Sequence, residues 1–235
     1  MSKRFGDVVA AEDVHVQVSA GEIHGLLGRN GAGKTTVLRM ITGLLVPDKG
    51  SVKVCSFDLW SQPAKAKRLL GYVPDTPTLY ERLSGHEFLR FIGGLYGMSS
   101  EAVDLSAAPL LDLLEVDKWM DRPVHTYSAG TRRKLSIVAG LLHQPKVIVL
   151  DEVTNTLDAV AIAQVKQLLM TLRNQGTAIL ITTHLLSIAS DLCDTITIIH
   201  DGKVLNTLRR DDWLNNNESL ETQFLRLTVG DSCTS

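Results

Sequence analysis

The segment that decides the fold of this chain reads Gly28-Arg29-Asn30-Gly31-Ala32-Gly33-Lys34-Thr35. It fits the pattern G-x-x-x-x-G-K-[ST], and it lies between an apolar run at residues 22–27 and a segment of helical pattern at residues 36–45. A glycine-rich loop in this position, between a strand and a helix, is typical of a phosphate-binding loop. An ordinary glycine-rich turn would not need lysine and threonine at its end. The segment therefore predicts a nucleotide site.

The residue types of this loop indicate how it would bind a triphosphate. Glycine lets the backbone come close to phosphate oxygens, so that N–H groups face them, and the start of the helix adds a positive potential. We expect the Lys34 ammonium to reach the β- and γ-phosphates and the Thr35 hydroxyl to ligate Mg²⁺. The residues predicted to bind the nucleotide are Gly28, Arg29, Asn30, Gly31, Ala32, Gly33, Lys34, Thr35 and Thr36.

Outside the loop, strand and helix patterns alternate along the chain. Apolar runs at residues 146–150, 177–182 and 195–200 read as buried strands, and the periodic segment at residues 159–175 reads as a helix. Alternating strands and helices predict an α/β fold with a mostly parallel, doubly wound sheet. Ligands of such sheets bind at the carboxyl ends of the strands. Near the N-terminus, the weak alternation of residues 8–18 predicts a half-buried strand.

Two parts of the chain depart from this alternation. Residues 76–124 are mostly helical in pattern, and Ser84 with Glu87 fits a capping box that begins an apolar helix. The residues from 211 onward are polar and mixed, and the sequence predicts no fold for them.

Polar side chains directly follow two of the predicted strands. Asp151 and Glu152 come after residues 146–150, so we expect Asp151 to hold Mg²⁺ and Glu152 to polarise an attacking water as general base. The alternative is a helix N-terminus, where acidic residues are favoured in any case. His184 follows residues 177–182 and is expected to contact a γ-phosphate, although a histidine at a strand end is as often an ordinary surface residue.

The composition limits the classes of function that the chain can have. The 235 residues suffice for one large or two small domains, and 44% hydrophobic with 21% charged residues is typical of a globular protein. A net charge of −2 lacks the basic field that gathers nucleic acid, so we expect no nucleic-acid partner. Three cysteines without a metal or disulfide pattern indicate a reducing compartment. No apolar run reaches the roughly 20 residues of a membrane span, so we expect a cytoplasmic protein without direct membrane insertion.

A further motif distinguishes this chain from other proteins with the same loop. The strand that ends at Asp151 is preceded by Tyr127-Ser128-Ala129-Gly130-Thr131. Together with the phosphate loop, this segment resembles the signature of the ABC ATPase family, and the resemblance covers residues 3–208.

Three further positions match the family's pattern. Residues 155–158 resemble its D-loop, with Asp158 as the acidic residue, and His184 resembles its switch histidine. Phe5 lies where the family has an aromatic residue that stacks on adenine, although an ordinary apolar residue near a strand is as frequent there.

The resemblance implies a fold and a division into domains. The fold would be a P-loop NTPase (RecA-like) parallel sheet core with an N-terminal antiparallel β subdomain and a helical subdomain inserted at about residues 76–124. The nucleotide-binding domain would span residues 1–210, and residues 211–235 would form a tail of unknown fold.

The resemblance also implies a function. In this family two subunits enclose two ATP molecules with Mg²⁺, each held by the phosphate loop of one subunit and the signature of the other. The expected partners are therefore a second ABC ATPase subunit, in a homo- or heterodimer, and integral membrane permease subunits. The chain would be peripheral on the cytoplasmic face of the cell membrane, and it looks most like the ATPases of ABC-2-type exporters.

Several residues differ from the family's pattern. The Q-loop, residues 71–75, ends in Asp75 instead of glutamine, and we expect this carboxylate to join Thr35 and Asp151 around Mg²⁺. The signature has Ala129 and Thr131 where glycine and glutamine are commonest, which would slow hydrolysis. ATP hydrolysis is still predicted because the residues with direct roles remain: Lys34, Asp151, Glu152 and His184.

Two alternatives to a transport ATPase stay open from the sequence. The first is a non-transport ABC ATPase of the assembly-factor type, because such chains are similarly short. The second is a regulatory subunit that senses nucleotide with little turnover, which the altered signature and Asp75 favour.

Overall fold

The computed structural model describes residues 1–214 and 218–229, with a six-stranded sheet at its centre. In chain order the strands are β1 (Lys3–Phe5), β2 (Val8–Ala11), β3 (Ile23–Leu27), β4 (Lys53–Val54), β5 (Phe57–Asp58), β6 (Leu70–Val73), β7 (Val147–Asp151), β8 (Ala178–Thr182), β9 (Thr195–His200) and β10 (Lys203–Arg209). The helices are α1 (Lys34–Ile41), α2 (Pro63–Arg68), α3 (Gly85–Leu95), α4 (Ser100–Leu113), α5 (Ala129–Leu141), α6 (Ala159–Asn174), α7 (Leu186–Leu192), α8 (Arg210–Leu214) and α9 (Leu220–Val229). Within this described part, none of the helices has the length and apolar character needed to traverse a bilayer.

The central sheet has the strand order β10-β9-β3-β8-β7-β6. Its strands run parallel except β10, which pairs antiparallel with β9 across the turn at Asp201 and Gly202. The carboxyl ends of β3, β8 and β7 lie side by side, with Leu26 paired to Thr182 and Thr182 to Asp151. The predicted α/β fold with a mostly parallel sheet is confirmed, and its ligand-binding edge is the one that follows these three strands.

The apolar strands at the middle of the sheet are buried on both faces. Ile148 and Leu150 of β7 pack into one core, and Val149 between them packs into a second core on the opposite face. The first core contains residues of α3, α4, α5 and α6, whereas the second contains residues of α1 and α2. Because helices cover both faces, the strands carry continuous apolar runs instead of an alternating pattern. The buried sheet therefore holds the residues that follow its strands in defined positions.

The segment between β6 and β7 is helical, as the sequence predicts. The capping box is present: Ser84 Oγ accepts a 3.2 Å hydrogen bond from the Glu87 N–H, and the Glu87 carboxylate accepts a 2.8 Å hydrogen bond from the Ser84 N–H. The helices α3 and α4 pack closely at Gly93, where a Cβ would lie 2.2 Å from the Val103 side chain. A salt bridge of 2.8 Å between Arg90 and Asp104 joins the exposed sides of these two helices.

The N-terminal part contains short antiparallel strands instead of the long strand predicted at residues 8–18. The strand β2 pairs with β1 and ends at Ala11, while β4 pairs with β5. The prediction was too long because Asp13 has φ 49°, in the left-handed region, which ends the regular strand. Val14 beyond it is nevertheless buried. The alternation of valines therefore reflects alternating burial of side chains in an irregular segment, not a regular strand.

The tail has structure that the sequence did not predict. Trp213 of α8 and Leu220 of α9 are buried in the main core, and the Gln223 side chain donates to the backbone oxygens of Asp212 and Glu218. The described part of residues 211–235 thus packs on the main core of the chain, and α8 begins at Arg210, directly after β10. Residues 215–217 and 230–235 of the predicted tail lie outside the described residues.

Candidate active site

The glycine-rich loop follows β3 and ends where α1 begins. Gly33 is the N-cap of α1 with φ 102°, a conformation that favours glycine, and a Cβ there would lie 2.5 Å from the Ala10 backbone oxygen. Lys34 is the first residue of α1, and its ammonium folds back over the loop. Its Nζ donates to the backbone oxygen of Gly28 at 2.7 Å and to that of Arg29 at 3.2 Å. The loop is thus wrapped around a cation.

A cleft of about 540 Å³ opens between this loop and the ends of β7 and β8. Its lining residues are Asn30, Gly31, Gly33, Lys34, Thr35, Thr36, Asp75, Asp151, Glu152, Asn155 and His184. The cleft unites residues from four separate segments of the chain, with the loop on one side and three carboxylates on the other. Its volume lies in the range of small-molecule and cofactor sites.

Asp151 is the last residue of β7 and is 6% exposed. One of its carboxylate oxygens accepts a 2.6 Å hydrogen bond from Thr182 Oγ1 on the neighbouring β8. Burial raises the pKa of Asp151, the Thr182 hydrogen bond opposes this, and the carboxylates of Asp75 and Glu152 raise the pKa further. Burial also lowers the pKa of the Lys34 ammonium, against the attraction of Glu152 and Asp151. The negative charges are thus crowded, which favours the binding of a cation beside them.

Glu152 and His184 form a pair at the mouth of the cleft. Glu152 Oε2 accepts hydrogen bonds from His184 Nδ1 at 2.8 Å and from the His184 backbone N–H at 3.3 Å. The Glu152 backbone N–H donates to Thr182 Oγ1 at 3.0 Å, and Glu152 has φ 47°. A non-glycine residue in this left-handed region costs backbone energy, so its neighbours must hold it in place. Glu152 thus lines the cleft with its carboxylate oriented by the His184 ring.

The oxygen ligands of the cleft fit a magnesium ion. The Thr35 hydroxyl and the Asp151 carboxylate both line the cleft, and hard oxygen ligands of this kind are the ones that Mg²⁺ prefers. In the described part of the chain, no group of three or more His, Cys, Asp or Glu side chains could hold a metal ion alone. Mg²⁺ sites commonly use one or two carboxylates completed by phosphate oxygens and water, and this set of ligands matches them.

Four of the predicted nucleotide-binding residues do not line this cleft. Phe5 lies on β1 with half of its surface exposed, and its ring faces the Lys3 ammonium, with 5.7 Å from Nζ to the ring centre. Gly28 and Arg29 line an adjacent cavity together with Phe224 of α9. Ala32 is buried in the core beneath the loop.

The signature segment lies outside the cleft of its own chain. Ser128 is the N-cap of α5: its Oγ accepts a 3.1 Å hydrogen bond from the Thr131 N–H and lies 2.8 Å from the Thr131 hydroxyl. Tyr127 is buried, and its hydroxyl donates to the Trp119 backbone oxygen at 2.7 Å. A Cβ at Gly130 would lie 3.2 Å from the backbone oxygen of Thr156, so this glycine touches the D-loop. Ser128 and Thr131 are both partly or largely exposed at the start of α5.

Asp158, the acidic residue of the segment that resembles a D-loop, stabilises a helix of its own chain. Asp158 is the N-cap of α6, and its carboxylate accepts a 2.8 Å hydrogen bond from the Ala161 N–H. An aspartate is among the preferred residues at this position for that reason.

Three residues of the site were not predicted from the sequence. Thr182 bonds both Asp151 and the Glu152 backbone, and its position at the end of a buried strand next to β7 was a usable signal. Asn155 contributes a side-chain amide that donates to Asp75 at 3.1 Å, although it lies in the segment compared with the D-loop. Arg133 is buried behind Asp75, and nothing in the sequence indicated that one of three consecutive basic residues points inward.

Comparisons with known sequences show the family of the chain. The family model described as "ABC transporter" matches residues 11–155. The ABC transporter ATP-binding protein NatA of Bacillus subtilis is 36% identical over 209 residues, which are 87% of this chain and 85% of that protein. The Nod factor export ATP-binding protein I of Burkholderia lata is 37% identical over 203 residues, which are 86% of this chain and 67% of that protein.

Comparisons with solved structures give the same answer. A structure described as the ATP-binding subunit of an ABC transporter superposes with a TM-score of 0.91 at 31% identity and covers 96% of both chains. A bacterial ABC transporter cassette solved as a dimer has a TM-score of 0.80 at 23% identity over 89% of this chain and 95% of that one, which shows the shared fold. Since the family model matches more than half of the residues and NatA exceeds 30% identity over most of both chains, this chain belongs to the ABC transporter family.

Proposed function

We propose that this chain is the ATP-binding and ATP-hydrolysing subunit of an ABC transporter, and that it powers export through separate membrane subunits. The observation that carries the proposal is the cleft in which Lys34, Asp151 and Glu152 meet. The membership in the family and the export proteins among the relatives support it.

The residues of the cleft suit hydrolysis of a terminal phosphate. The Lys34 ammonium and the loop N–H groups are suited to holding phosphate oxygens and offsetting the charge that develops on them. The Glu152 carboxylate is suited to accepting a proton from an attacking water, and His184 holds it at 2.8 Å. Mg²⁺ would be held by Thr35 and Asp151, with Asp75 nearby, and would supply positive charge beside the phosphates.

The partner at the open side of the cleft is proposed to be a second ABC ATPase subunit. The start of α5, residues Ser128 to Thr131, does not line the cleft of its own chain, and a helix N-terminus favours phosphate binding. The dimeric cassette of the same fold supports this arrangement. ATP would then bridge the two subunits, and its hydrolysis would remove the bridge.

The membrane subunits are proposed to dock on a groove beside α3. The groove encloses about 350 Å³, and its lining is mostly apolar, with Leu79, Ile92 and Tyr96 among the residues. Two leucines on its rim are largely exposed, Leu44 at 64% and Leu95 at 69%. Exposed apolar residues around a groove are typical of protein-protein contacts. This docking would place the chain on the cytoplasmic face of the membrane.

The proposed function is tested by measuring ATP hydrolysis and the co-purification of the permease with the chain. The purified full-length chain, alone and with its co-expressed permease, is assayed for phosphate release from Mg·ATP, with EDTA in place of Mg²⁺ as the control. We expect Mg²⁺-dependent hydrolysis and retention of the permease on the tagged chain. Binding of Mg·ATP without turnover in the assembled complex would exclude the hydrolysing function.

A variant of the groove tests the docking surface. Leu95→Glu places a charge where an apolar contact is proposed, and we expect the amount of co-purified permease to fall at least about tenfold, the effect of a contact worth about 1.4 kcal/mol. Phosphate release by the isolated chain should stay unchanged. Leu105→Glu is the matched control, because Leu105 is equally exposed, at 78%, and does not line the groove. An equal loss of permease in both variants contradicts docking at this groove.

One observation favours a second candidate, a nucleotide-sensing subunit with little turnover. The Asp75 carboxylate contacts Asn155 and lies 3.5 Å from the Arg133 guanidinium, so it is already engaged by protein groups. The turnover assay described above separates the two candidates.

A further inference from the structure

Arg133 is a buried cation beside the nucleotide cleft. It lies in α5 and is 2% exposed, and its guanidinium donates to the backbone oxygens of Pro74, at 2.6 Å, and of Asp75. The same Nη2 atom lies 3.5 Å from an oxygen of the Asp75 side chain. Burial lowers the pKa of Arg133, while the charges of Asp75, Asp151 and Glu152 raise it. The guanidinium therefore contacts Asp75 and experiences the negative charge of the other two carboxylates of the cleft.

The same oxygen of Asp75, Oδ1, is approached both by this cation and by a side-chain amide. Its Oδ1 accepts a 3.1 Å hydrogen bond from Asn155 Nδ2, and Asn155 follows the pair Asp151 and Glu152 in the chain by only a few residues. Half of the Asp75 side chain remains exposed, and the residue lines the cleft. The carboxylate is thus held at a fixed place on the rim.

The same arginine belongs to the helix that begins with the signature. Ser128 caps the N-terminus of α5, and Arg133 lies less than two turns further along it. A rigid helix therefore joins the exposed signature to the residue that holds Asp75. A displacement of α5 by a partner at its N-terminus would be transmitted to the rim of the cleft.

We propose that Arg133 is a positioning residue for ATP hydrolysis: it holds the Asp75 carboxylate at the rim of the cleft and ties this carboxylate to the signature helix α5. The proposal rests on the proposed ATPase function and assigns a role to a residue outside the phosphate loop and the two carboxylates that follow β7. The planar guanidinium suits this role because it donates to two backbone oxygens while it lies 3.5 Å from a carboxylate oxygen, which a lysine ammonium does less well.

The experiment is a double-mutant cycle on the full-length chain. Arg133→Gln, Asp75→Asn and the double variant are compared with the unaltered chain for kcat, for the Kd of a fluorescent ATP analogue with Mg²⁺, and for Tm. We expect Arg133→Gln to lower kcat about tenfold while Kd changes less than about twofold, because a misplaced group affects turnover more than binding. In the Asp75→Asn background, the same substitution should lower kcat less than about threefold, since no carboxylate is left to position.

Matched controls separate positioning from general destabilisation. Arg90→Gln breaks the Arg90–Asp104 salt bridge, also an arginine–aspartate pair, on exposed helix surfaces away from the cleft, and it should leave kcat and Kd unchanged. Equal effects of Arg133→Gln in both backgrounds overturn the proposal. Asp75→Asn is expected to fold because Asp75 is half exposed, so a normal kcat in that variant also overturns it, even if Arg133→Gln does not fold. Absence of turnover in the unaltered chain would instead overturn the proposed function.

Discussion

Glu152→Gln is expected to lower kcat for ATP hydrolysis by about 10²- to 10⁴-fold, the usual contribution of a general base, while Mg·ATP still binds. The amide has nearly the same shape as the carboxylate, but it does not accept a proton from water. The carbonyl oxygen of the amide keeps an acceptor for His184 Nδ1, which lies 2.8 Å from Glu152 Oε2, so the geometry of the cleft is preserved. Phosphate release measures turnover, and a fluorescent ATP analogue measures binding.

The control for this variant is a glutamate outside the cleft. Glu101→Gln lies in the first turn of α4 on the exposed surface, and it should leave both measurements unchanged. If Glu152→Gln hydrolyses ATP at the unaltered rate, the proton is accepted elsewhere, and the role assigned to Glu152 is wrong.

Lys34→Met is expected to weaken Mg·ATP binding at least about 30-fold, the equivalent of about 2 kcal/mol, because it removes a partly buried cation from the phosphates. Lys34 is 8% exposed. Its ammonium already contacts the loop, because Nζ lies 2.7 Å from the Gly28 backbone oxygen. Methionine keeps an unbranched apolar stem that is only one atom shorter than the lysine side chain, so the loss mainly reports the charge. Isothermal titration calorimetry with Mg·ATP measures the change in Kd.

A surface lysine provides the comparison for this variant. Lys166→Met removes a cation that pairs with Asp191 at 2.6 Å on the exposed side of α6. An exposed pair contributes little to stability, and the affinity for Mg·ATP should stay the same. An unchanged Kd in Lys34→Met would contradict binding of the phosphates at the glycine-rich loop.

The sequence predicted the central sheet and most of the cleft because both depend on local patterns. The run that ends at Asp151 is apolar on both faces, and in a parallel sheet its carboxyl end must meet those of its neighbours. This reasoning placed Glu152 near Lys34, whereas His184 also needed the family resemblance, and the cleft contains all three. The capping box at Ser84 was equally readable, since the two residues contact each other within one helical turn.

The features that the sequence did not reveal depend on contacts between distant segments. The tail looked polar, yet Trp213 and Leu220 complete the main core. The strand predicted at residues 8–18 is interrupted by Asp13, whose left-handed φ is not encoded by the alternation of valines. Arg133 contacts the backbone 58 and 59 residues earlier in the chain, so its burial could not be read from its basic neighbours.

The central claim is that ATP bound at Lys34 is closed over by the Ser128–Thr131 segment of a second subunit. The direct test is the molar mass of the Glu152→Gln variant in solution, measured by light scattering after size exclusion, with and without Mg·ATP. We predict a shift from one chain to two when Mg·ATP is added. The shift should be absent in the double variant that also carries Ser128→Arg, in which a bulky side chain blocks the start of α5. A variant that binds Mg·ATP and keeps the mass of a single chain at every protein concentration would contradict the account.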